Sequence, residues 1–98
     1  MVAKIRERDI EEYLVARVKA MGGEVRKVKW IGRNGAPDRF VLLPSSEPLM
    51  PGRHLWVELK APGKVPEDHQ LREHDRMRRI GCAVLVIDSF AGVEEMLG

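Results

Sequence analysis

Two acids and a lysine, Asp38, Glu58 and Lys60, stand in this sequence where their charges can meet. Asp38 follows Pro37 and opens the run Arg39-Phe40-Val41-Leu42-Leu43, and twenty residues later Glu58 and Lys60 alternate with apolar residues in Trp56-Val57-Glu58-Leu59-Lys60. Successive residues of a strand point to opposite faces, so Glu58 and Lys60 share one face while Val57 and Leu59 point into a core on the other. Two carboxylates and an ammonium converging on one edge of a sheet suit a hard divalent metal and an activated water beside a phosphodiester. Each feature alone is ordinary. Glu-x-Lys is common as a solvated pair on an exposed strand, and Pro-Asp begins many turns.

Bringing these residues together requires a particular order of elements. Ile10, Leu14, Val18 and Met21 recur at helical spacing, which predicts a helix over 8–21 stopped by Gly22-Gly23. Glu11 and Glu7 lie on the margin of its buried stripe, and Glu12 turns to solvent with Arg8 and Lys19. Residues 24–30 read as a first strand. The glycine-rich stretch Gly32-Arg33-Asn34-Gly35 then delivers Asp38 to a second strand, either as a basic loop that grips phosphate or as a plain Asn-Gly turn. Pro44 to Arg53, with three prolines, is a turn-rich connection leading to the central strand, 54–60. Pro66-Glu67-Asp68 opens a second long helix. On it Gln70, His74 and Met77 share a face, which Met77 and Ile80 turn toward the sheet, and Gln70 in the first turn lies close to the end of the Lys60 strand. Arg72, Arg76 and Arg79 fall on the opposite side, where Glu73 and Asp75 can pair with them in solvent. A last strand through Val84-Leu85-Val86-Ile87 and a short helix over 90–97 complete the pattern. Short connections make the first three strands an antiparallel meander, and the helical crossover lets the last strand run parallel to the central one.

Several segments in this order resemble the PD-(D/E)xK nuclease superfamily and, within it, the VRR-NUC family of phage and bacterial type. They are the acidic helix ending in Met21-Gly22-Gly23, Gly35-Ala36-Pro37-Asp38-Arg39, Val57-Glu58-Leu59-Lys60-Ala61-Pro62-Gly63, Gln70 after Pro66, and Gly81-Cys82-Ala83-Val84. The resemblance implies an α/β fold with a restriction-endonuclease-like core: a mixed four-stranded sheet flanked by helices. It implies that Asp38, Glu58 and the main-chain carbonyl of Leu59 bind Mg²⁺ or Mn²⁺, with a glutamate of the first helix as a further ligand. Spacing back from the double glycine favours Glu11, with Glu7 the competitor. Lys60 would orient and help deprotonate the attacking water, and Gln70 would aim at that water or the phosphate. The implied activity is a structure-selective DNA endonuclease related to Holliday-junction resolvases, acting on branched or duplex DNA and leaving 5′-phosphate and 3′-hydroxyl ends. One small site per chain then calls for a C2 homodimer, with Leu49 and Met50 as candidate interface residues. Two alternatives stay open: a dimeric DNA-binding module without turnover, and a nicking or exonuclease subunit of a larger assembly.

Composition bounds these readings. Ninety-eight residues are expected to form a single domain, 1–98, with one modest core. No stretch is apolar enough to span a membrane, and the run Met1 to Arg6 lacks the apolar segment of a secretion signal, which points to the cytoplasm. The lone Cys82 forms no internal disulfide and reads as core. Net charge is only +2, but the segment from Asp88 to Gly98 holds three acids and no base, leaving residues 1–87 with 17 bases against 12 acids. Arginine outnumbers lysine eleven to six, and its planar fork suits phosphate. His54, His69 and His74 are not spaced as zinc ligands, and no nucleotide-binding glycine motif occurs.

Overall fold

The alternation in 53–59 is realised as the strand on which the rest of the molecule is assembled. The computed structural model describes residues 4–98; Met1, Val2 and Ala3, part of the segment read for a leader, lie outside the described residues. The elements are α1 (Glu7–Ala20), β1 (Glu24–Lys27), β2 (Arg39–Leu43), β3 (Arg53–Leu59), α2 (Asp68–Ile80), β4 (Val84–Ile87) and α3 (Phe90–Leu97). The strands form one sheet in the order β1-β2-β3-β4. β1 to β3 are antiparallel neighbours, as the connection lengths require, and β4 is parallel to β3.

One face of the sheet carries Val41, Leu43, Leu55, Val57, Leu59 and Ile87, packed against Ile10, Leu14 and Val18 of α1 and Val93, Met96 and Leu97 of α3. Ile10, Leu14, Val18, Val41, Val57 and Val93 are fully buried, and each such burial is worth about 1.5–3 kcal/mol. Met21, placed in the same stripe by its spacing, is exposed, because the chain has already left the helix there. The other face carries Phe40, Trp56 and Glu58. It is partly covered by α2, whose buried residues are Glu73, His74 and Met77. Ile80, expected to face the sheet, is 68% exposed. His74 and Met77 do face the sheet as their spacing predicts, whereas Glu73 is buried and Ile80 is not. Cys82 is half-buried rather than core.

β1 is shorter than the alternation over 24–30 suggests. Its ladder does reach one residue further, through the Val28 N–H donated to the Asp38 carbonyl at 2.9 Å. Beyond that Trp30 leaves the strand to stack on Trp56 (ring centroids 4.9 Å apart) and to donate its indole N–H to the Pro37 carbonyl at 2.8 Å. These two bonds clamp the Pro37-Asp38 backbone at the head of β2. Among the described residues no helix is long and apolar enough to cross a membrane.

Candidate active site

Glu58 and Lys60 do share a face, at the end of β3 where the sheet opens toward the first turn of α2. The Glu58 side chain is 12% exposed, and its Oε2 lies 3.9 Å from Lys60 Nζ. Burial is the main reason its carboxyl is pushed up from an ordinary 4.5 to about 7; the charges of Asp38 and Glu7 push the same way, and Lys60 and Arg39 oppose them. Such a carboxylate gains from any cation brought to it.

Gln70 is the residue that holds Lys60. Its Oε1 accepts from Lys60 Nζ at 2.9 Å and from the Glu67 backbone N–H at 2.9 Å, so one amide oxygen both caps α2 and fixes the ammonium. His74 was passed over in the sequence because no second histidine stands at ligand spacing. In the fold it is fully buried one turn after Gln70, with neither ring nitrogen hydrogen-bonded, and its Nε2 is 3.6 Å from Glu58 Oε1, too far for a hydrogen bond. Burial, followed by the charges of Arg78 and Lys60, holds its pKa below the usual imidazole value. His74 thus sits buried behind Glu58 with no hydrogen-bond partner.

The helix acid sorts differently from the sequence expectation. Arg39 is the inward-pointing neighbour of Val41 on β2, and a charge on a core face must find a partner. It finds Glu11, to which it donates through Nε and Nη2, and Asp38, whose Oδ1 is 2.7 Å from Nη1. Glu11 is therefore committed to Arg39. The helix acid whose charge reaches Glu58 is Glu7, one turn earlier. The signal for Arg39 was present in the β2 alternation but is easily read as part of the Pro-Asp motif. Asp38 itself keeps a 61% exposed side chain, while Leu59 ends β3 with its side chain buried on the opposite face. Among the described residues no three His, Cys, Asp or Glu side chains are gathered closely enough to enclose a metal ion.

A glycine brings the connecting loop onto the site. Gly35 has φ +85°, and a Cβ there would lie 2.8 Å from the His69 carbonyl and 3.1 Å from Gln70 Cα. The loop over 31–37 is therefore a close-packed strap on the start of α2, not a two-residue hairpin turn. Gly35→Ala meets both a left-handed backbone and a rigid carbonyl. It is expected to cost about 1–3 kcal/mol, read as a lower melting temperature, with reduced cleavage because Gln70 is displaced from Lys60. An unchanged melting temperature would show that the strap is not tight.

No family model matches the chain. It is similar to a protein of Acyrthosiphon pisum secondary endosymbiont phage 1, provisionally described as nuclease p44, at 46% identity over 85 residues, covering 87% of this chain and 85% of the phage protein. A solved structure described as a VRR_NUC domain aligns with a TM-score of 0.78 at 40% identity, covering 93% of this chain and 92% of that one. With this sheet order, an acid-x-lysine at the end of the parallel-paired strand, and likeness along most of both chains, the protein belongs to the VRR-NUC family of nucleases.

Proposed function

We propose that the chain is a divalent-metal-dependent endodeoxyribonuclease that hydrolyses phosphodiester bonds at the Asp38-Glu58-Lys60 edge. The observation that carries this reading is Glu58, a carboxyl withdrawn from water and faced by a lysine. The available donors suit a hard cation in kind: the carboxylates of Asp38 and Glu58 and the main-chain carbonyl of Leu59 are all oxygen. Mg²⁺ is ordinarily held by one or two carboxylates, with waters and a substrate phosphate completing its shell, so the absence of a third converging acid is no obstacle. When bound, Mg²⁺ or Mn²⁺ would offset charge building on the scissile phosphate and make a water more acidic. Lys60, held by Gln70 Oε1 at 2.9 Å, would orient the attacking water and take part in its deprotonation. Gln70 Nε2 would donate to that water or to a phosphate oxygen. Phosphodiester hydrolysis by an attacking water leaves a 5′-phosphate and a 3′-hydroxyl when the 3′ oxygen departs.

The helix acid in this scheme is Glu7, not Glu11. Glu7→Gln is expected to lower the cleavage rate about 10–100-fold, the range of groups that tune a metal site without dominating it, with little change in melting temperature. Glu11→Gln should do the reverse, costing about 1–3 kcal/mol by weakening the pairing of the buried Arg39 while leaving more of the activity. Parallel melting curves and single-turnover rates check this, and a silent Glu7→Gln beside an inactive but stable Glu11→Gln would reverse the assignment.

Branched DNA is the substrate this reading favours, cut by a homodimer that presents two sites to one DNA. Leu49 is fully exposed and Met50 58% exposed, so neither folds over the local core and both are free to meet a second copy. Purified protein incubated with four-way junction, flap, nicked and linear duplex DNA in Mg²⁺, Mn²⁺ or EDTA tests the whole proposal. Metal-requiring cleavage with preference for the branched substrates is expected. Binding without cleavage in either metal would instead favour the DNA-binding module, and a strict monomer by light scattering that only nicks would favour a subunit of a larger assembly.

A further inference from the structure

Along the exposed side of α2 lies a groove of about 530 Å³ lined by Asn34, His69, Glu73, Asp75 and three arginines, Arg72, Arg76 and Arg79. The sequence suggests that these arginines pair off with nearby acids in solvent. The fold arranges them otherwise. Glu73 is only 6% exposed and serves as a buried anchor: Arg76 donates to both of its oxygens at 3.0 Å, and Arg33 of the strap over 31–37 reaches to 3.8 Å. Asp75 is paired with Arg78 at 3.4 Å. Among the described residues, Arg72 and Arg79 are left with no carboxylate at ion-pair distance, and both are exposed. Two free guanidiniums, Arg72 and Arg79, thus flank the oriented Arg76 along a single groove.

The spacing suits a polyanion. Arg72, Arg76 and Arg79 fall at i, i+4 and i+7, on one side of the helix. From Arg72 to Arg79 the helix advances about 10 Å, roughly three nucleotide steps of one DNA strand at about 3.4 Å each. Packed residues link the groove to the candidate catalytic edge, since Gly35 seats the strap over 31–37 on His69 and Gln70, and Gln70 holds Lys60. Arginine forks bind phosphate oxygens bidentately, and a nucleic-acid backbone repeats them at regular spacing.

We propose that this groove grips the phosphodiester backbone of the DNA substrate to one side of the cleaved bond, independently of base sequence. The proposal deepens the nuclease reading and rests on it for the identity of the polyanion. It is tested without turnover, by fluorescence anisotropy of a short labelled duplex in EDTA across a salt series. The double variant R72A/R79A is expected to bind about tenfold more weakly at moderate salt, and to lower the slope of log affinity against log salt by about 1–2. The charge-keeping R72K/R79K should retain most of that slope. K19A/R26A, which removes two charges at the β1 edge, should keep the wild-type slope. The proposal is overturned if R72A/R79A binds with wild-type slope and affinity, or if K19A/R26A loses as much, since net charge alone would then govern binding. Cleavage by the wild-type protein in Mg²⁺, together with an unaltered R72A/R79A slope, would sink the groove and leave the nuclease reading intact. A reduced slope with no cleavage in either metal would sustain the groove and sink the nuclease reading.

Discussion

Glu58→Gln is expected to abolish cleavage and, in the same molecule, to make the metal-free protein more stable above pH 7. The first effect follows from removing the carboxylate that draws a cation to the edge of β3, and a loss of at least about 10³-fold is in keeping with groups of that kind. The second follows from linkage. Glu58 releases its proton near 7 in the folded chain against 4.5 ordinarily, so between these values the unfolded state gives up a proton that the folded state retains. Stability is therefore greatest below about 4.5 and declines as pH rises through 7. A glutamine has no charge to bury and escapes that decline. Screening at a site open on one side reduces the gain to about 1–2 kcal/mol. Thermal melts of both proteins in EDTA at pH 4 and pH 8 check it: the variant should match wild type at the lower pH and exceed it at the higher. An inactive variant that is less stable at pH 8 would mean that Glu58 is a structural ion-pair partner of Lys60, and that its loss only loosens the edge.

Lys60→Ala is expected to lower cleavage by about 10²–10⁴-fold, the span associated with a positioned proton-transfer group, while the protein stays folded. The side chain spans the gap between Gln70 and Glu58, and its removal touches no residue of the main core on the α1 face. It carries a second signature. Lys60 is the largest influence holding the Glu58 carboxyl down, so the decline of stability with pH should move to higher pH in the variant. Gln70→Ala should reproduce part of the rate loss, because it frees the ammonium without removing it, and should also lower stability by about 1 kcal/mol through the lost cap at Glu67. Near wild-type rates for Lys60→Ala across a Mg²⁺ titration would remove Lys60 from the reaction altogether.

What the residues disclose unaided is whatever depends on short periods. Two-residue alternation in Trp56-Val57-Glu58-Leu59-Lys60 puts the acid and the lysine on one face. The 3.6-residue recurrence of Ile10, Leu14 and Val18 makes α1 a helix with one buried stripe, and connection lengths dictate antiparallel β1 to β3 and permit a parallel β4. Those local rules were enough to find the α/β architecture and the pair at the end of β3. They fail wherever a side chain's partner lies on another element. Glu11 and Glu7 are one turn apart on the same margin, and only the packing of α1 over β2 decides that Arg39 takes Glu11. Likewise Glu73 reads as a solvated partner of nearby arginines, and Ile80 as a residue facing the sheet. In the fold Glu73 is buried as the anchor of Arg76 and Arg33, while Ile80 is 68% exposed. Tertiary structure alone could decide these placements, because burial and pairing energies are set by distances across elements, and no spacing along the chain encodes them.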